Sequence, residues 1–109
     1  AQNATVPVPP VASWAERWGL TDATLVAWAQ ARMSAQAARS FTEQVAGDPL
    51  AESMRRTYLK CSSNPNPQFK AIAAGIQKDD RFKYAEVDGH HDIMLIDPSR
   101  FVSSLLSLA

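Results

Sequence analysis

Apolar positions along this chain change their period near residue 50. Upstream of it they recur at helical spacing. Positions 25, 28, 29, 32 and 33 fall at i, i+3, i+4, i+7 and i+8, which places Leu25, Trp28 and Met33 on one face of a helix that Thr21 or Asp22 can cap. Trp14 and Trp18 stand one helical turn apart in a shorter segment that Gly19 ends. Ser34 is positioned to cap a further helix running to about Gln44, and Gly47-Asp48-Pro49 supplies a breaker.

Downstream of the breaker, strands and helices alternate. Thr57–Cys61 is predicted as a short strand and Ser62-Ser63-Asn64-Pro65 as a turn. Asn66 then caps a helix whose first position is Pro67, where a missing amide costs nothing. Phe69, Ile72, Ala73 and Ile76 form the expected buried stripe of that helix. Lys78-Asp79-Asp80-Arg81 closes it, Phe82–Val87 is the next strand, and Asp97-Pro98 opens a last helix with Phe101, Val102, Leu105 and Leu106 expected to face inward. A strand, a crossover helix and a second strand form a right-handed unit with parallel strands. The segments that follow the two strands, 62–64 and 89–92, then emerge at one carboxyl edge, where open α/β sheets gather their ligand chemistry.

Composition narrows the function classes. Eleven basic and eleven acidic residues give a net charge of zero, without the basic footprint of a nucleic-acid or anionic-membrane binder, and no apolar run is long enough to span a bilayer. The single cysteine, Cys61, excludes an internal disulfide framework and a zinc ribbon; within a strand it reads as a small buried hydrophobe. Residues 1–12 hold three prolines and no charge, and read as an extended connection entering a domain from elsewhere. They lack the basic leader and apolar run of a signal peptide. With Ala1 in place of a methionine, they suggest a chain that continues upstream.

The segment with the most chemistry is Gly89-His90-His91-Asp92-Ile93-Met94-Leu95-Ile96-Asp97-Pro98, which follows the second strand. A metal site built from His90, His91 and Asp92 is disfavoured, because neighbouring side chains diverge on a loop. Together with Arg56-Thr57-Tyr58-Leu59-Lys60-Cys61 and Tyr84-Ala85-Glu86-Val87 as the last two core strands, the segment resembles the histidine loop of the α/β-hydrolase superfamily. The particular likeness is to the small esterases that include plant methyl-ester hydrolases, hydroxynitrile lyases and their bacterial relatives. The resemblance covers residues 8–109 and implies an α/β fold: the C-terminal part of a hydrolase core, with parallel strands, flanking helices and a helical cap. It divides the chain into an extended linker (1–12), a cap (13–50) and a C-terminal βαβα part (51–109).

The resemblance also implies roles. Its histidine acts as general base toward a serine nucleophile. A methionine three residues on and a proline seven on select His91, whereas the usual Gly-His dipeptide would select His90. The position of the triad acid falls on Asn64, which can orient an imidazole but supplies no charge; the corresponding loss of an aspartate in serine proteases costs on the order of 10⁴ in turnover. The acid would then come from another strand end, or catalysis would be weak. Asp92 is too close in sequence to fold back onto His91, and Asp97 is better used as a helix cap. Trp14, Trp18, Trp28, Met33 and Phe41 of the cap, with Met94, are candidates to line an apolar substrate pocket, although the aromatic residues would equally serve to pack the cap.

No G-x-S-x-G elbow occurs in the 109 residues. The expected activity is therefore that of a serine hydrolase for a small carboxylic ester, needing no cofactor, with its nucleophile and oxyanion donors on an N-terminal segment or companion chain. The two alternatives are a non-catalytic small-molecule binder on the same fold, which Asn64 favours, and a hydroxynitrile-lyase-like enzyme.

Overall fold

In the computed structural model, residues 3–47 and 53–109 are described. Asp48-Pro49 of the expected breaker, and with them the boundary placed at residue 50, lie outside the described residues. The chain is a small mixed α/β protein with a two-stranded parallel sheet and flanking helices.

The first half begins with a two-residue strand, β1 (Thr5–Val6), and a 3-10 turn, Val11–Ser13. Helix α1 (Trp14–Trp18) follows and stops at Gly19, whose φ of 73° is a left-handed C-cap that a Cβ would strain. Helix α2 (Ala23–Gln30) is capped by Asp22, whose carboxylate accepts the Leu25 amide proton at 2.9 Å. Trp14, Leu20 and Ala29 form the buried centre, with Val8, Trp18, Val26 and Met33 packed around it. The proline-rich start is attached to this layer: Val8 joins the cluster and the Pro9 carbonyl accepts from Trp14 Nε1 at 2.9 Å.

The helix expected from Ser34 to Gln44 does not form. Gln36–Ala37 is instead a strand, β2, paired antiparallel with β1, and only Arg39–Thr42 is helical (α3). The alanines of this stretch favour helix, but the extended Thr5–Val6 segment offers backbone partners that outweigh a weak local propensity. The amide of Ala38 donates to the Ala4 carbonyl at 3.0 Å and continues the pairing.

The second half follows the predicted alternation. Strand β3 (Arg56–Cys61), helix α4 (Pro67–Gln77) and strand β4 (Phe82–Val87) make the parallel unit, with Arg56 opposite Phe82 and Cys61 opposite Val87. Asn66 caps α4 by accepting from the Gln68 amide at 2.9 Å. A short helix, α5 (Ile93–Ile96), leads into α6 (Pro98–Ser107), capped by Asp97 through the Arg100 amide.

The burial expected of the two amphipathic helices is only partly present. Ala73 is buried and Ile76 half-buried, while Phe69 and Ile72 are exposed. On α6, Phe101 is half-buried, but Val102, Leu105 and Leu106 face out, Leu106 at 71% exposure. The pattern for inward faces is real; two strands are too narrow a floor to receive them. Parallel sheets normally have both faces covered.

Candidate functional site

The carboxyl edge of β3 and β4 is held together by a serine. The Ser62 amide donates to the Val87 carbonyl at 2.9 Å, its hydroxyl donates to Asp88 Oδ1 at 2.8 Å, and the same oxygen accepts from the Gly89 amide at 3.2 Å. Ser63 adds a bond from its amide to the Gly89 carbonyl at 2.9 Å. From the other side, Arg100 of α6 donates to the Asp88 carbonyl at 3.2 Å and pairs with Asp97 at 3.2 Å. The histidine loop thus leaves the sheet in a defined direction, latched to the turn that carries Asn64.

The two histidines take different places. His90 lies against Gly19 at the end of α1: a Cβ on Gly19 would come 2.2 Å from His90 Cγ. This approach is open only to glycine. Gly19→Ala is expected to destabilise the protein by more than the roughly 1–2 kcal/mol that a left-handed backbone costs a residue with a Cβ, because the His90 contact adds to it. A urea titration of the two proteins checks this; equal midpoints would show that the approach is not required.

His91 is half-buried and lines a cavity of about 400 Å³. Its walls are Ser13, Glu16, Arg17 and Trp18 of the first half, Asn64, Pro65 and Asn66 of the β3–α4 turn, and Phe69 of α4. The Phe69 ring packs on the imidazole with centroids 5.3 Å apart, and Asn64 Nδ2 lies 3.3 Å from His91 Nδ1. A smaller cavity of about 140 Å³ adjoins, bounded by His91, Asn64, Phe69 and β3 residues that include Cys61. Glu16 and Arg17 bring opposite charges to the wall, so the larger cavity combines charged, amide and aromatic side chains.

Of the residues expected to line a pocket, the structure brings Trp18 to His91. Trp14 is fully buried in the helical layer at 0% exposure, stacked at a tilt on Trp18 with centroids 5.5 Å apart. Met33 packs against the same cluster. Trp28 is turned outward, with the Arg32 guanidinium 4.3 Å above its ring, and Phe41 on α3 is 63% exposed. Met94 is exposed on α5 and is not among the cavity walls. Ser13, Glu16, Arg17 and Phe69 are wall residues that the sequence reading did not select. Only the position of α1 over the β3–α4 turn reveals them; Phe69 by its spacing belongs to the apolar stripe of α4.

Asp92 follows His91 and caps nothing by its side chain. Burial raises its carboxyl above the ordinary range, and the attraction of His91 offsets part of this. The Cys61 thiol is likewise pushed up, by burial first and by the Asp92 charge second, which makes it a poor nucleophile. A carboxyl that holds its proton more tightly in the folded than in the unfolded chain penalises the fold at neutral pH. The penalty fades as pH falls through the raised value. Asp92→Asn is therefore expected to raise the denaturation midpoint at pH 7, with the gain shrinking toward about pH 4. A gain that is constant with pH would contradict this origin.

Comparison of the chain with protein-family models, with curated proteins and with solved structures finds no match in any of the three.

Proposed function

We propose that this chain carries the proton-transferring histidine and the cap of a serine-type hydrolase for small carboxylic esters. The observation that carries the reading is the placement of His91. It leaves the carboxyl end of a parallel strand, is clamped by Phe69 and Asn64, and opens on a cavity of about 400 Å³ roofed by α1. That volume suits a small ester, since ligand cavities run to about 300–1,000 Å³.

In this reading the serine nucleophile and oxyanion donors lie outside these residues, on strands that add to the edge of β3 opposite β4, where no strand pairs among the described residues. The outward apolar faces of α4 and α6 support it, because further strands would widen the floor beneath them. His91 would take the serine proton during attack and return it to the departing alkoxide.

A second reading, a small-molecule binding protein built on the same edge, draws on Asn64, which brings no negative charge to the imidazole. The two are separated by assaying the complete protein on short-chain aryl esters with His91 and His90 replaced in turn. Turnover lost with His91 supports the hydrolase. Binding of the ester without turnover, weakened by His91→Ala, supports the binder.

A further inference from the structure

We propose that Asn64 is a positioning residue that sets the tautomer of His91, holding the neutral ring with its proton on Nε2 and Nδ1 as an acceptor. The inference concerns the resting ring: a binding site uses this tautomer as it stands, whereas the base role in the proposed hydrolase requires His91 to pass first to the form with its lone pair on Nε2.

The Asn64 side chain has two polar ends, and the structure gives each a partner. Its oxygen accepts the backbone amide of Asn66 at 3.1 Å. Its nitrogen therefore faces His91 Nδ1, at 3.3 Å. Rotating the amide by 180° would set the NH₂ group against the Asn66 N–H, donor against donor, and lose that bond. An amide nitrogen donates and does not accept, so the ring nitrogen opposite it must offer a lone pair. In a neutral imidazole the other nitrogen then carries the proton.

The arrangement is fixed at both ends by the fold. Asn66 is the N-cap of α4 and accepts from the Gln68 amide at 2.9 Å, so its own backbone amide has a set direction. Phe69, one turn into the same helix, packs on the imidazole and limits its rotation. The turn that caps α4 thus dictates which nitrogen of His91 is protonated. Aspartate at position 64 would keep the bond from the Asn66 amide, since a carboxylate oxygen also accepts. Its second oxygen would then accept from Nδ1–H and reverse the tautomer, freeing the lone pair on Nε2.

The test is a long-range ¹H–¹⁵N correlation spectrum of the histidine rings at about pH 8 or higher, where neutral imidazole is the ordinary form, with His90 as the internal control. Wild type is expected to show His91 with a pyrrole-like Nε2 and a pyridine-like Nδ1. Asn64→Asp is expected to exchange these two assignments and leave His90 unchanged. The amide spectrum of the same sample reports that the variant is folded. Asn64→Ala, which removes both polar ends, is expected to give His91 ring shifts averaged between the two forms. A wild-type ring protonated on Nδ1, or an Asn64→Asp ring still protonated on Nε2, would overturn the proposal. So would identical His91 spectra in wild type and Asn64→Ala. Because the spectrum reads no turnover, its outcome is separate from that of the hydrolase reading.

Discussion

His91→Ala is expected to lower the turnover of a short-chain aryl ester by the complete protein at least about 10²-fold, the scale of a lost general base, with His90→Ala close to wild type. The two residues are adjacent, so any effect of loop disruption would reach both. What separates them is what each touches. His91 faces the cavity beside Asn64 and Phe69, whereas His90 rests on Gly19 at the end of α1. The difference should appear mainly in kcat, because a proton transferred in the transition state contributes little to ground-state binding. Steady-state kinetics of the three proteins on several esters is the measurement. Equal turnover of wild type and His91→Ala would remove the catalytic reading and leave the binding protein.

Trp14→Ala is expected to destabilise the protein by about 3–5 kcal/mol, the range for removing a large buried aromatic side chain. Trp14 has 0% exposure, makes the centre of the cluster that unites α1, α2 and the proline-rich start, and ties that start down through the Pro9 carbonyl. Its loss also frees Trp18, which is both its stacking partner and a wall of the His91 cavity. Turnover should therefore fall together with stability. Trp28→Ala, at an exposed position beside Arg32, should cost under about 1 kcal/mol, the scale of an exposed cation–π contact. Denaturant titrations of both variants check the pair, and comparable losses would show that the helical layer is not organised around Trp14.

The contrast between these tryptophans marks what was legible in the chain. Trp14 and Trp28 have similar local patterns, each on a helix with an aromatic or apolar neighbour one turn away, and the sequence reading put both in one candidate pocket. Periodicity identifies an apolar face but not what the face meets. That depends on which helix has a partner, and α1 has one in Leu20 and Ala29, while among the described residues the outward side of α2 meets no apolar cluster. The same reason explains Leu105 and Leu106 on α6, whose pattern is that of an inward stripe and whose surroundings leave them exposed.

Local rules did determine the elements whose energetics are local. Asp22, Asn66 and Asp97 cap their helices through short-range bonds to amides two or three residues on, Gly19 ends α1 in a conformation that suits glycine, and Pro67 and Pro98 occupy first turns where no amide is needed. The parallel pairing of β3 with β4 follows from the single helical crossover, α4, that joins them. The β1–β2 pair was not legible, because Thr5–Val6 and Gln36–Ala37 are two residues each and thirty residues apart, and no local preference announces such a bond. At the site, the sequence determined that a histidine and an asparagine would arrive at one sheet edge. Tertiary structure alone decided which amide atom of Asn64 meets that histidine and that α1 closes the other side. Those outcomes depend on directions of side chains brought together across 27 residues, and direction is set by packing rather than by spacing.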